Sequence, residues 1–161
     1  MTDTKSEITQ RLSVLIGLDV SAVSHAADML TIHFGPQKQY TTRRGAVLQG
    51  GTWALHVQCQ WQIARAGVVV ATQAVLAGSD DAAHRGATWL NRLLVTDGPT
   101  IVKSLSATEF GGFQLEMANS FCLEVVAGTM PDEEDWRLFE PGSGIKHFVV
   151  EGGNIDPWSL S

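Results

Sequence analysis

The chain has 161 residues, of which 44% are hydrophobic and 17% charged, a composition typical of one globular domain with a sizeable core. Its formal net charge of −6 argues against a general nucleic-acid binder, because such proteins carry a basic face. The polar N-terminal stretch MTDTKSEITQ matches neither a signal peptide nor a membrane span, and two cysteines, Cys59 and Cys122, fit a reducing compartment. We therefore expect a cytoplasmic location and no membrane partner.

A short amphipathic helix is predicted near the N-terminus. Ser6 is suited to cap its first turn and Gly17 to end it, since serine favours the N-terminal cap and glycine the position after the last turn. The apolar residues on one side of such a helix are Ile8, Leu12, Leu15 and Ile16. We expect this side to face the core.

Residues 19–34 are predicted to form a hairpin. The runs VSAVSHA and MLTIHFG are strand-like, and a break at Ala27 and Asp28 separates them. Beyond Gly35 the polar run QKQYTTRRG predicts a loop that reaches the next strand near Val47.

The stretch WALHVQCQW, residues 53–61, predicts one extended strand. Its large apolar residues share the odd positions, which are Trp53, Leu55, Val57, Cys59 and Trp61, with Ile63 continuing the pattern. An extended chain with this alternation places His56 and Cys59 on opposite faces, so the two do not form a reactive or metal-binding pair by themselves. Cys59 is expected to be a buried small hydrophobe.

The segment GVVVATQAVL predicts a hairpin partner for this strand, with its valines completing a buried face. The main helix is predicted over residues 80–94, with Asp80 or Asp81 as its cap. Its apolar stripe consists of Ala83, Ala87, Leu90 and Leu94, widened by Trp89 and Leu93. Gly86 lowers the helix propensity by roughly 1 kcal/mol relative to alanine and allows a neighbouring element to approach closely.

After TDGP the chain predicts a meander of the strands IVKSLSA, FQLEM, FCLEVVA, WRLFE and KHFVV. In FQLEM and FCLEV the odd-numbered residues are apolar, whereas the even-numbered ones include Gln114, Glu116 and Glu124. One face of these strands is therefore expected to be wet and the other to pack, as in an antiparallel sheet covered on a single side.

Together these elements predict a single α+β domain over residues 1–161. It comprises a mainly antiparallel sheet of hairpins and a meander, with the main helix packed on one face and a short N-terminal helix. The glycine-rich tail, residues 152–161, is expected either to be loose or to dock through Trp158.

Five histidines raise the question of a metal site, but none has an HxH or HExxH spacing. A zinc site built from His33, His56 and Asp28 is geometrically conceivable, although histidines of half-buried strands are more often solvated or hydrogen-bonded. The chain also has no GxSxG, GxGxxG or P-loop motif. We expect no catalytic residues, no cofactor and no metal.

An acidic run, PDEEDW, occupies residues 131–136. Asp132, Glu133, Glu134 and Asp135 predict either a solvated loop or a surface that draws in a basic partner, since exposed like charges raise association rates over long range. Trp136 is expected to be a core residue, because WRLFE alternates. The wet strand face carrying His56, Gln58 and Gln60 is a second candidate surface for a partner.

The stretches WALHVQCQWQI, VVVATQAV, GGFQLEM, CLEVV and DEEDWRLFEPG resemble those of a family of small uncharacterised bacterial proteins, over most of residues 17–150. Some members of that family behave like immunity proteins that neutralise a toxin. At residue 62, which follows the second tryptophan, the family has arginine and this chain has Gln62. The resemblance implies a bacterial protein-binding role and carries over no catalytic residue.

These observations predict a non-enzymatic module that binds another protein with a basic surface, in the form of an immunity-type inhibitor of a bacterial toxin. The alternative is a small enzyme or ligand-binding domain that uses the polar sheet face around His33 and His56. An enzyme requires a concave site where polar groups converge, whereas a protein binder can present a convex surface.

Overall fold

The structure, a computed structural model, describes residues 3–160. Its helices are α1 (Thr4–Leu12) and α2 (Asp80–Asn91). Its strands are β1 (Val20–Ala26), β2 (Met29–Phe34), β3 (Lys38–Thr41), β4 (Val47–Gly50), β5 (Trp53–Val57), β6 (Gln60–Arg65), β7 (Val68–Thr72), β8 (Val102–Ala107), β9 (Phe113–Met117), β10 (Phe121–Val126), β11 (Glu134–Phe139), β12 (Phe148–Glu151) and β13 (Asn154–Ile155). Short helical turns cover Ser13–Leu15, Gln73–Leu76, Arg92–Thr96, Ala118–Ser120 and Pro157–Leu160.

The strands divide into two antiparallel sheets, so the α+β class is confirmed. One sheet has six strands in the order β1-β2-β5-β11-β12-β13, and the other has five in the order β7-β6-β10-β9-β8. The strands β3 and β4 form a separate hairpin. Hairpins account for the neighbours that are consecutive in the chain, because short turns favour antiparallel pairing, whereas the pairs β5–β11 and β6–β10 join strands that are far apart in the sequence.

The predicted single strand over residues 53–63 is divided in two. Gln58 and Cys59 both donate their backbone N–H groups to the carbonyl oxygen of Asp135, at 2.8 and 3.1 Å, so the chain bends there and passes from one sheet to the other. The predicted alternation holds for Leu55, Val57, Trp61 and Ile63, which are buried, but Ala54 is buried as well. Cys59 packs partly buried against the core, while His56 contacts the Phe139 ring on the other face.

Side chains from both sheets and both helices meet in one hydrophobic core. Trp136 of β11 lies at its centre and is fully buried, which confirms its prediction as a core residue. Its ring packs edge-on against Phe113 of the other sheet, with 4.8 Å between ring centres, and its Nε1 donates to the Gly111 carbonyl at 2.8 Å. A single tryptophan thus joins the two layers through both apolar contact and a hydrogen bond.

The two sheets are also connected where β1 begins. Val20 donates its N–H to the Thr100 carbonyl at 3.0 Å, and Val102 donates to the Leu18 carbonyl at 2.8 Å. On the neighbouring stretch of β1, Val23 donates its N–H to Oδ1 of Asn91 at 2.9 Å. The edge of β1 is therefore hydrogen-bonded in part by Thr100, in the segment before β8, and in part by Asn91 at the end of α2, which protects it from pairing elsewhere.

The predicted core residues of the main helix are confirmed. Those buried are Ala83, Ala87, Leu90 and Leu94. The expected cap is wrong, because Ser79 rather than Asp80 or Asp81 accepts the N–H of Ala82, at 3.1 Å. Trp89 does not widen the buried stripe, since 42% of its surface is exposed.

The N-terminal helix also differs in detail from its prediction. It begins at Thr4, so Ser6 lies inside it and donates its hydroxyl to Oδ2 of Asp3 instead of capping the helix. Ile8, Leu12 and Leu15 are buried as predicted. Ile16 is 46% exposed, because the backbone is extended there and turns at Gly17, where φ is +90°.

Two segments adopt structures that the sequence did not predict. The expected loop after Gly35 contains the β3–β4 hairpin. The valines Val68, Val69 and Val70 are 65%, 48% and 38% exposed, so the prediction that they complete a buried face is wrong. Strand β7 is the end strand of its sheet, with a neighbouring strand on one side only, and these three side chains are left in solvent.

The tail is held by the six-stranded sheet. Strand β13 pairs with β12, and Val149 donates its N–H to Oγ of Ser159 at 2.9 Å. Trp158 remains 75% exposed, with the Lys146 ammonium 5.3 Å from its ring centre. Ser161, the last residue of the tail, lies outside the described residues, as do Met1 and Thr2.

Within residues 3–160, no helix combines the length and apolarity needed to cross a bilayer.

Gly86 provides a test of the helix packing, because a Cβ at this position would overlap the Val75 carbonyl. Alanine normally stabilises a helix relative to glycine by about 1 kcal/mol. We expect Gly86→Ala to have the opposite effect and to lower the free energy of unfolding by about 1–3 kcal/mol, since overpacking against backbone cannot relax cheaply. Urea denaturation measures this change.

The exposed Thr88 on the same helix supplies a control. Thr88→Ala should change stability by no more than about 0.5 kcal/mol. A Gly86→Ala variant more stable than wild type would contradict the close contact between α2 and the turn that contains Val75.

Candidate functional site

A polar and aromatic cluster lies on the outer face of the six-stranded sheet, and we call it the outer patch. Its members are His56, Gln58, Glu134, Arg137, Phe139 and His147. Strand alternation places His56, Arg137 and Phe139 on it, because Leu55, Val57, Trp136 and Leu138 are buried on the core side. The register shift between Glu134 and Trp136 interrupts this alternation, so Glu134 lies on the outer face as well, in its ion pair with Arg137. The register then places Arg137 directly beside His56 on adjacent strands.

Arg137 is the centre of the outer patch. Its Nε donates to Oε1 and Oε2 of Glu134 at 3.1 and 2.9 Å, and its Nη2 makes a further short ion pair with Oε1. The hydrogen bonds that Arg137 donates to Glu134 raise the pKa of Arg137 above its ordinary value. Gln58 donates from Nε2 to Oε2 of the same carboxylate at 2.9 Å. Glu134 thus fixes both an arginine and an amide, and bidentate pairing of this kind restricts orientation.

His147 extends this network to an aromatic group. Nη1 of Arg137 lies 2.9 Å from Nδ1 of His147, and because arginine can only donate, Nδ1 accepts and the imidazole is neutral. Burial, followed by the charge of Arg137, lowers the pKa of His147, in agreement with that form. Its ring stacks on Phe139 with 4.5 Å between centres and 19° between planes.

His56 packs against the same phenylalanine. Its ring meets Phe139 edge-on, with 4.6 Å between centres and an angle of 75°. Burial is the largest cause that lowers the pKa of His56 to about 4, and the charge of Arg137 is the second. Both imidazoles of the outer patch are therefore neutral near pH 7, and the guanidinium is its cation.

Of the four carboxylates predicted to be free to contact a partner, two are exposed and unpaired with another residue of the site. Asp132 and Glu133 are exposed in the loop before β11, whereas Glu134 lies on the strand in its ion pair with Arg137. Asp135 is 4% exposed, and the expectation that it faces solvent is wrong. Its Oδ1 accepts the N–H of Gly128 and its Oδ2 accepts that of Gly153, both at 2.8 Å. Both oxygens of this carboxylate are therefore engaged by the backbone of two connecting loops.

The predicted wet face is also divided between the sheets. His56 and Gln58 belong to the outer patch, but Gln60 begins β6 in the five-stranded sheet, where it is exposed. Sequence reasoning did not single out Arg137, Phe139 or His147. The alternation in WRLFE could have indicated the first two, because they must lie opposite Trp136 if that residue is buried.

The hypothetical zinc site is not assembled in the structure. Asp28 occupies the exposed turn between β1 and β2, and Nδ1 of His33 accepts the N–H of Gly51 at 3.0 Å. Burial lowers the pKa of His33. Over the whole range 3–160, no group of three or more His, Cys, Asp or Glu side chains is arranged to hold a metal ion.

Neither cysteine has the environment of a reactive thiol. Burial is the largest cause that raises the pKa of Cys59 to about 12, and Asp135 adds to it. The pKa of Cys122 is raised to about 11, first by burial and then by Glu116. Since the thiolate is the nucleophilic form, both side chains are inert near neutral pH.

Comparison of the chain with protein-family models, with curated proteins and with solved structures finds no match in any of the three. The resemblance to the immunity-type family therefore stays a prediction. A function for the chain has to be inferred from the geometry of its described residues.

The role of Asp135 can be tested by Asp135→Asn. The amide keeps the shape of the side chain but turns an NH₂ group toward the N–H of Gly128 or of Gly153, so that one of these donors, part-buried at Gly128 and buried at Gly153, loses its acceptor. We expect the free energy of unfolding to fall by about 1–3 kcal/mol. In contrast, Asp132→Asn should change it by less than about 0.5 kcal/mol. Equal effects in chemical denaturation would show that Asp135 is not a buried acceptor.

His56 should make stability depend on pH. The unfolded chain protonates this residue below its ordinary pKa of about 6.5, whereas the folded protein protonates it only near 4. Between these values the unfolded state binds more protons, so the free energy of unfolding falls as the pH is lowered. His33 and His147, whose pKa values are also lowered, contribute with the same sign.

We therefore expect His56→Gln to weaken, without abolishing, the loss of stability between about pH 6.5 and 4. Urea midpoints measured across this range show the change. Above about pH 7 the variant and wild-type curves should run parallel, whatever their offset, because neither state then protonates His56. An unchanged slope in the acid range would contradict the burial of this imidazole.

Proposed function

We propose that this protein is a non-enzymatic protein-binding module, in the particular form of an immunity-type inhibitor that neutralises a bacterial toxin. The observation that carries this proposal is the outer patch, in which one arginine and three aromatic rings are held in position by contacts within the protein. The resemblance of the sequence to an immunity-type family points in the same direction.

The outer patch shares an arginine and an aromatic side chain with the energetic centres of protein interfaces. Arginine and aromatic residues dominate such centres because they combine a large contact area with directed hydrogen bonds. Arg137 is already oriented by Glu134 and His147, and Phe139 is already packed between His56 and His147. A partner that contacts them avoids most of the entropy cost of ordering long side chains, which supports tight binding.

The charge beside the outer patch favours a basic partner. Asp132 and Glu133 are exposed and directly precede Glu134, and the whole chain has a net charge of −6. Exposed carboxylates attract a cationic surface over about one Debye length, roughly 8 Å at physiological salt. Rapid capture of a basic toxin is what an inhibitor of this type requires.

The experiment begins by isolating the partner from the native host with tagged wild-type protein. The gene of the captured protein is then expressed alone and together with the present chain. We expect it to arrest growth when expressed alone and to be tolerated in the presence of wild-type protein. Arg137→Gln, verified as folded by circular dichroism, should lose most of this protection, because the guanidinium is no longer available to the partner.

Binding kinetics separate the contribution of the loop from that of the outer patch. We expect Asp132→Asn combined with Glu133→Gln to slow association about tenfold at low salt, with an effect that fades as salt is added. The control is Asp97→Asn combined with Glu109→Gln, which removes the same charge from two exposed residues outside the acidic loop and should have a smaller effect. A captured protein that is harmless, or one that binds all variants equally, would rule out the proposed function.

A further inference from the structure

The solvent-facing side of α2 carries a second surface with the opposite charge, which we call the α2 stripe. Arg85 and Trp89 belong to α2, and Arg92 directly follows its last residue with helical backbone angles, so the three stand four and three residues apart along one side of the helix. The stripe borders an open groove of about 700 Å³, which Thr88 and Thr96 also line. The opposite side of α2 packs into the core through Ala87 and other residues.

Both guanidinium groups of the α2 stripe are available for a partner. Within residues 3–160 the ion pairs are those of Arg11 with Glu7 and of Arg137 with Glu134, so no carboxylate lies within 4.0 Å of Arg85 or Arg92. Asp81 precedes Arg85 by one helical turn, a spacing that permits pairing, but it makes no such contact.

Trp89 adds an apolar contact between the two positive charges. It is 42% exposed, although an indole ring is among the most favourable groups to bury. Among the described residues, no acidic side chain lines the groove, whereas the chain as a whole has a net charge of −6. A cationic surface with an aromatic centre, on an otherwise acidic protein, is complementary to an anionic surface with an apolar centre.

We propose that the α2 stripe binds an acidic amphipathic helix of a partner protein. Arg85 and Arg92 are seven residues apart, which corresponds to about 10.5 Å along the helix axis. Two carboxylates seven residues apart on a second helix repeat that spacing, and an apolar side chain between them covers Trp89. Packed helices bring such side chains into contact at interaxial distances of about 8–10 Å.

A polyanion such as single-stranded nucleic acid fits this surface less well. Its phosphates continue beyond the two guanidinium groups and meet the acidic remainder of the protein, where they are repelled. A helix that presents only two or three carboxylates satisfies the α2 stripe without this cost. The proposal uses no residue of the outer patch, so its test is independent of the test of the proposed inhibitor function.

The test uses the full chain and a designed peptide of about 20 residues, long enough to be helical in water. The peptide carries glutamates seven residues apart with a leucine between them, and its control carries glutamines in their place. We expect calorimetry at low salt to detect binding of the glutamate peptide and at least tenfold weaker binding of the glutamine peptide.

Variants of the protein locate the binding surface. Arg85→Gln combined with Arg92→Gln should weaken binding of the glutamate peptide about tenfold or more, and Trp89→Ala should also weaken it. The matched control is Arg43→Gln combined with Arg44→Gln, which removes the same charge from the exposed turn between β3 and β4 and should have less than a twofold effect. All three variants alter exposed residues, and circular dichroism confirms that they are folded.

Four results would each overturn the proposal. They are the absence of binding by the wild-type protein, equal losses in the two double variants, an unchanged affinity after Trp89→Ala, and binding of a single-stranded oligonucleotide at least as tight as that of the glutamate peptide. The second result would indicate general charge attraction, and the last a nucleic-acid surface.

Discussion

The buried carboxylate of Asp135 is the constraint on which the arrangement of the two sheets depends. Its two oxygens hold the loops at Gly128 and Gly153, and its backbone carbonyl accepts the N–H groups of Gln58 and Cys59 where the chain leaves one sheet for the other. These hydrogen bonds replace the water that the buried side chain has lost. Three separate segments therefore meet at a single residue.

The same strand links this constraint to both the core and the surface. Strand β11 continues from Asp135 into Trp136, which joins the two sheets, and then into Arg137, which organises the outer patch. Because neighbouring residues of a strand face opposite sides, packing of Trp136 also sets the position of Arg137. The surface that we propose for a toxin is thus supported directly by the interior.

The candidate site could be predicted from the sequence only in part. The acidic run and the polar face at His56 and Gln58 stand out in the residue pattern, and they contribute to the site. The pattern does not reveal that the Asp135 carboxylate accepts two glycine N–H groups from other loops, or that His147, which directly precedes β12, stacks on Phe139 of β11. These contacts join residues that are separated along the chain, and local periodicity carries no information about such pairs.

The sequence by itself determined most of the local structure, namely the main helix, most of the strands and the core-facing residues in most of them, because the 2.0 and 3.6 residue periods are properties of a single segment. Only the tertiary structure decided that residues 53–63 divide between two sheets, that β7 lies at an edge with its valines exposed, and that Trp89 faces solvent. Burial of a given face requires a second element to cover it, and which element does so depends on the packing of the whole chain.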